Sequence, residues 1–328
     1  RKNRMNITRN TVILVLGLLL CACGEKDVNV SNEDAEIFPA KELTVIVPYS
    51  PGGGVDTTVR MLASVAPKYL DGNKIVVRNM PGGGGVIGQT AGAQADADGY
   101  NLLAFSSSVT SNPFTKNASY DHLSFGLIGM YGYDPEVLIV PAGSPLNSIE
   151  DFLEAGKVKK ITISTSGHST SHHIASLVLS NKTGVDFTYL HNKGAAEQIQ
   201  QILGDHVDAT MMGISEASEY IKNGSLKSLG IMTAERNESF PDLPTFIEQG
   251  IDIEWGALRG IAVPAATPMD IQQKLAEAFR GIIQDPENAE RMAIAGYPIS
   301  YRSPEEFREY VISVVENLEQ ILPSLQAQ

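Results

Sequence analysis

The run Leu43-Thr44-Val45-Ile46-Val47-Pro48-Tyr49-Ser50-Pro51-Gly52-Gly53-Gly54-Val55-Asp56 passes from a β-branched strand, through proline and glycine, into a helix. Val and Ile suit extended backbone, and Pro48, Pro51 and three glycines stop it. Beyond them Val59, Leu62, Val65 and Ala66 share one helical face, and Asp56 is positioned to cap that helix. A second unit follows at once. Lys74-Ile75-Val76-Val77 reads as a strand, then come a glycine loop, an Ala-rich helix and the strand Asn101-Leu102-Leu103-Ala104-Phe105. Strand–loop–helix units of this length predict an α/β protein with mostly parallel sheets flanked by helices.

The pattern recurs downstream. Ile161 to Ser164, Val185 to Leu190, Val207 to Met212 and Leu229 to Met232 read as strands, with helices through Leu177–Leu179 and Ile199–Leu203 between them. Two helices are expected to close the chain. Thr267 caps the first, with Pro268 at its opening position. Ser303-Pro304-Glu305-Glu306 opens the second, whose apolar stripe is Phe307, Val311, Val314 and Leu318. Val137-Leu138-Ile139-Val140 and Gly260-Ile261-Ala262-Val263 are two runs suited to carrying the chain between lobes. The expected plan is a discontinuous first lobe, residues 41–140 plus 256–328, with an inserted second lobe, 141–255. Ligands in such folds sit between lobes, at strand carboxyl ends.

Residues 1–23 read as a targeting segment. Arg1, Lys2, Arg4 and Arg9 precede the apolar run Thr11 to Leu20, about half the roughly 20 residues a spanning helix needs. Leu20-Cys21-Ala22-Cys23-Gly24 then resembles a lipobox, with Cys23 as the lipidated residue. Both cysteines of the chain lie here, so cleavage before Cys23 leaves no pair for a disulfide. Residues 24–40 are polar, acidic and aperiodic, as a flexible tether would be. The net charge of −13 argues against nucleic acid, which needs basic surface to replace counterions. It does not argue against an anionic ligand, because local backbone dipoles outweigh a distant global charge.

Three loops carry chemistry. In Pro51 to Asp56, glycines let backbone N–H groups approach a ligand closely at a helix N-terminus, where a carboxylate is favoured. In Asn79 to Gly88, Gly83, Gly85 and Gly88 satisfy G-x-G-x-x-G, but a dinucleotide site also wants an acid about 20 residues on. Phe105-Ser106-Ser107-Ser108 stands there instead. No Lys-Ser or Lys-Thr follows either loop, which excludes a P-loop. In Ser164 to His173, hydroxyls and free N–H groups make an anion cradle, matched by Ser106, Ser107, Ser108 and Thr110. His168, His172 and His173 have no carboxylate or Cys at metal-ligand spacing. His173 is expected to be a structural hydrogen-bond donor. No G-x-S-x-G elbow supports a serine nucleophile.

These loops, with Arg60, Asp98-Gly99-Tyr100, Asn112-Pro113, His173-Ile174-Ala175, Lys193-Gly194-Ala195, Gly204 with Val207-Asp208, Pro241-Asp242-Leu243-Pro244-Thr245, Val263-Pro264 and Thr267-Pro268, resemble the solute-binding proteins of tripartite tricarboxylate transporters, the Bug family. The resemblance runs from about Leu43 to the C-terminus. It implies a two-lobed periplasmic-binding fold of type II that closes over a carboxylate, held mainly by backbone N–H groups, hydroxyls and water. Carried over, the candidate ligand set is Tyr49, Ser50, Gly52, Gly53, Ser107, Ser108, Ser169, Thr170, Lys193, Gly194 and Ala195. Arg259 either meets a second ligand carboxylate or faces solvent. Departures are Ser169 for a common Gly, Asn192 for Tyr, Leu258 for an aromatic, and Met212 for a frequent acid. The last weakens an amino-acid ligand, whose ammonium wants a carboxylate.

The targeting segment and lipobox imply an exported, lipid-anchored protein, and the family resemblance implies a receptor that is not an enzyme. It would deliver a di- or tricarboxylate, or a related organic acid, to membrane permease subunits, with no cofactor. The alternative is a ligand sensor serving a membrane two-component kinase. A nucleotide-dependent enzyme is disfavoured by the missing ribose acid and the export signal.

Overall fold

A computed structural model describes residues 38–297 and 299–325. The targeting segment, Cys23 and the tether as far as residue 37 lie outside the described residues. In chain order the first elements are β1 (Leu43–Val47), α1 (Gly54–Val65), β2 (Ile75–Asn79), α2 (Val86–Ala93), β3 (Asn101–Ser106), α3 (Ser108–Thr115) and β4 (Phe125–Pro141). Next come α4 (Ile149–Val158), β5 (Ile161–Thr165), α5 (Ser171–Thr183), β6 (Phe187–His191), α6 (Ala195–Leu203), β7 (Ala209–Gly213), α7 (Ile214–Lys222) and β8 (Leu226–Ile231). The chain continues with β9 (Gly256–Pro264), α8 (Met269–Gln284), α9 (Pro286–Ile294), β10 (Ile299–Arg302) and α10 (Pro304–Leu325).

The strands form one curled mixed sheet in the order β2-β1-β3-β9-β4-β7-β5-β6, with β10 and β8 also pairing with β4. The repeated strand–helix unit produces two parallel trios, β2-β1-β3 and β6-β5-β7. The joins between them are antiparallel, through β9 and β4. β4 runs for 17 residues. Its first part, Phe125 to Pro135, pairs with β9, and its last, from Glu136, pairs with β7 and β8. The sequence reading found only Val137 to Val140 of this strand. Gly126, Gly129, Gly132 and Pro135 depress strand propensity in the earlier part, and pairing on both sides overrides it.

Two capping expectations change. Gly53, not Asp56, is the N-cap of α1. Asp56 sits in the first turn and reaches back to accept from Gly52 N at 2.9 Å, while Arg60 and Asn79 bind its other faces. Pro268, not Thr267, precedes α8. Three helices rather than two close the chain, because Asp285 caps the short α9 by accepting from Glu287 N and Asn288 N. The opening of α10 is as expected: Ser303 N donates to Glu306 Oε2 at 2.8 Å and Glu306 N to Ser303 Oγ at 3.3 Å, a reciprocal pair. The stripe of α10 then buries Phe307 against Phe105, edge to face at 5.4 Å, which stabilises the docked helix by roughly 1.5–3 kcal/mol for the phenyl group alone.

Candidate functional site

Four helices begin where parallel strands end, and their first turns meet. The N-cap residues of α1, α3, α5 and α6 are Gly53, Ser107, Thr170 and Gly194, and none makes a side-chain cap bond. The first N–H groups of a helix have no intrahelical acceptor. Here Gly53 and Gly54, Ser107 and Ser108, Thr170 and Ser171, and Ala195 line one cavity of about 40 Å3, the space of a few waters. The positive ends of four helix dipoles therefore converge on one small cavity, which favours an anion.

Hydroxyl groups complete the lining. Tyr49 Oη lies 2.6 Å from Ser108 Oγ and 3.0 Å from Ser106 Oγ, and burial pushes its phenol pKa up. Gln89 Nε2 donates to the same Ser108 Oγ. Ser107 Oγ accepts from Leu258 N at 2.9 Å, and Thr170 Oγ1 donates to Gly167 O at 2.8 Å. These bonds fix the hydroxyl oxygens in position before any ligand arrives.

Beneath the cavity lies a buried charge cluster. Arg259 is 3% exposed, so it does not face solvent. Its Nη2 donates to Asp134 Oδ2 at 2.7 Å, lies 3.6 Å from Glu216 Oε1, and its guanidinium sits 5.0 Å from the Tyr297 ring centroid. Glu216 Oε1 also accepts from Gly54 N at 3.0 Å, so an acid of the protein holds the start of α1. His172 Nε2 lies 3.3 Å from Glu216 Oε2 and 3.8 Å from Glu136 Oε1. Burial raises the Glu136 pKa to about 7. Burial alone would lower His172, but Glu136 and Glu216 outweigh it and the net shift is upward.

On the other side, bonds cross between the halves of the sheet. Lys116 Nζ donates to Gly83 O at 2.6 Å, to Asn112 Oδ1 at 2.7 Å and to His168 O. Ser111 Oγ donates to Ser169 O, and Thr115 Oγ1 meets Ser169 Oγ at 2.6 Å. The rings of His168, His173 and His191 pack within 4.6–5.3 Å of one another. Among the described residues no group of side chains is arranged to hold a metal ion. His173 is an acceptor rather than a donor at Nδ1, receiving Ser169 N at 3.0 Å.

Burial, with His191, His168 and Lys116 nearby, lowers the His173 pKa to about 2. The sign of its effect on stability follows. The native side chain stays neutral, while the unfolded chain takes up a proton below about pH 6.5. The unfolded state then binds more protons, so stability falls as pH falls. Relative to His173→Gln, the wild type is expected to lose about 2 kcal/mol more between pH 7 and pH 5 in urea titrations. Equal losses in the two proteins would show that His173 is not buried neutral.

Of the candidates read from sequence, Tyr49, Gly53, Ser107, Ser108, Thr170, Ala195 and Arg259 line the cavity. Ser50, Gly52, Ser169, Lys193 and Gly194 are not among its lining residues. Ser50 N and Oγ approach Lys193 O at 3.3 and 3.4 Å, joining the two halves. Ser169 lies in the crossing bonds just described, Gly52 is exposed, and Gly194 is the N-cap of α6. Asn192 braces the loop, donating to Ser164 Oγ and Thr165 O at 2.8 and 2.9 Å. Met212 is fully buried among Val137, Ile139 and Ile231, away from the cavity. The acid at the cavity is Glu216, a helical turn later. Sequence reading missed Glu216 and the contribution of His172. Glu216 stood in the first turn of a helix following a strand, which is the signal that marks it.

Residues 58–326 match the family model of the tripartite tricarboxylate transporter family receptor. BugT of Bordetella pertussis is 27% identical over 322 residues, covering 95% of this chain and 96% of BugT. The structure of the periplasmic binding protein BugD superposes with a TM-score of 0.83 at 28% identity, covering 88% of this chain and 99% of that one. MatC from Rhodopseudomonas palustris, solved with bound malate, gives 0.81 at 25% identity, with 87% and 99% covered. Matched over most of its length, the chain belongs to the tripartite tricarboxylate transporter receptor family.

Proposed function

We propose that this protein is an extracytoplasmic receptor that captures a small carboxylate and delivers it to membrane permease subunits. The observation that carries the reading is the convergence of four helix N-termini, none capped by the side chain of its own N-cap residue, on one hydroxyl-lined cavity. Such a cavity neutralises a carboxylate with dipoles and N–H groups. The malate bound by MatC is a ligand of this kind. The ligand enters between two lobes, residues 41–140 with 256–328 and residues 141–255, which move together over it. The crossing bonds from Lys116, Ser111 and Ser50 then belong to the closed state. Lobe closure is what the permease reads, and lipidation at Cys23 keeps the receptor at the membrane. An affinity near micromolar, about −8 kcal/mol, suits capture followed by release.

A thermal-shift screen of the chain against carboxylates, amino acids and nucleotides tests this. A carboxylate present at 100 times its Kd is expected to stabilise the protein by about 2.7 kcal/mol, visible as a saturable rise in Tm. A clear shift with NAD or ATP and none with any carboxylate would reverse the reading.

A further inference from the structure

Gln198 decides which nitrogen of His172 carries a hydrogen. The Gln198 Nε2 group donates to Ser164 O at 3.0 Å, and also to Met211 O and Thr210 Oγ1. Its Oε1 is therefore the atom that meets His172 Nδ1, at 2.9 Å. An amide oxygen only accepts, so Nδ1 is the donor. The other nitrogen, Nε2, then faces Glu216 Oε2 at 3.3 Å and Glu136 Oε1 at 3.8 Å. With all three groups deprotonated, a lone pair would oppose two ionised carboxylates in a nearly buried site. The His172, Glu136 and Glu216 side chains are 5%, 0% and 6% exposed. A proton on Nε2, which makes His172 cationic, removes that opposition.

The trio is also short of partners. Among the described residues neither oxygen of Glu136 nor Oε2 of Glu216 meets hydrogen-bond geometry, although the Ser171 hydroxyl is near enough to favour ionised Glu136. The groups around it come from every neighbouring element. Asp134 lies on β4 with Glu136, Arg259 on β9, Glu216 on α7 and His172 on α5, and the phenols of Tyr49, Tyr131 and Tyr297 lie close by. Three acids thus face two bases. With Arg259 and His172 cationic, the cluster is neutral when Glu136 is protonated and carries one negative charge when it is not.

His172, Glu216 and Arg259 line the cavity as well. A carboxylate bound there sets a new negative charge beside the trio, which favours protonating Glu136. We propose that this site takes its carboxylate together with one further proton, held on Glu136 beside His172. The proton comes from solvent, and the bound pair adds no net charge to the buried cluster. This inference rests on the carboxylate reading above.

Calorimetry of the chain with malate, in phosphate and in Tris near pH 7.5, tests it. These buffers differ in ionisation enthalpy, so proton uptake appears as a difference in observed binding enthalpy. Uptake of a substantial fraction of one proton per malate is expected, with Kd weakening about three- to tenfold from pH 6.5 to pH 8.5. In Glu136→Gln both effects should shrink or vanish while binding persists. Should that variant not fold, the wild-type buffer comparison decides by itself. Equal enthalpies in both buffers with a flat Kd would overturn the proton linkage and leave the carboxylate reading standing. Failure of malate and every other carboxylate to bind would remove both.

Discussion

Arg259→Met is expected to lower the unfolding free energy by about 3–5 kcal/mol, the cost typical of removing one partner from a buried ion pair. Methionine keeps much of the stem's volume, so the loss comes from charge rather than from a cavity. Asp134 is 1% exposed and receives Arg259 Nη2 at 2.7 Å, and Glu216 Oε1 lies 3.6 Å from the same nitrogen. Without the guanidinium, the buried Asp134 and the nearly buried Glu216 side chain lose the cation they share, with Glu136 nearby. Urea unfolding at neutral pH reads the effect, and Asp134→Asn in the Arg259→Met background should restore part of the loss. A change below about 1 kcal/mol would mean that the acids are neutralised by protons rather than by Arg259.

Gly84→Ala is expected to weaken carboxylate binding by about ten- to a hundredfold while unfolding falls by no more than about 2 kcal/mol. Gly84 has φ +64°, and a Cβ there would collide with the His168 carbonyl and crowd Lys116 Nζ. Left-handed backbone costs an L-residue roughly 1–2 kcal/mol wherever it occurs. The collision is different, because it exists only while the Gly83–Gly84 loop rests on the His168 loop. On the proposed lobe closure, separating the two halves relieves it, so the variant would penalise the closed state, and each 1.4 kcal/mol of that penalty is about a tenfold loss in Kd. Titration with the carboxylate that gives the largest thermal shift measures it. An unchanged Kd would show that this contact is not part of ligand capture.

Gly84 also shows why the glycine tract was hard to read locally. Gly83, Gly85 and Gly88 match a dinucleotide fingerprint by spacing alone. In the fold, Gly82 to Gly85 all take positive φ, so that the tract can lie against a loop some 80 residues away. The site shows the same division. The strand-to-helix junctions at Gly53, Thr170 and Ala195 were legible because glycine and hydroxyl residues follow β-branched runs, whereas Ser106 to Ser108 read only as a hydroxyl cluster and the helix α3 after them was not legible. Each junction recruits its helix start by local chemistry. The partners of Arg259 were not legible, since Asp134 and Glu216 lie 125 and 43 positions away in the sequence.

The sequence by itself determined most of the strand–loop–helix units, three of the four helix starts that converge on the cavity and the capping pair of α10. These depend on neighbours within a turn or two, where propensity and hydrogen-bonding type decide the outcome. The tertiary structure alone decided the length of β4, whose glycine-rich first part is a strand because β9 and β10 pair with it. It alone brought Glu136, His172, Glu216 and Arg259 together from β4, α5, α7 and β9. Register and burial across distant segments set those distances, and no local pattern in a single chain encodes them.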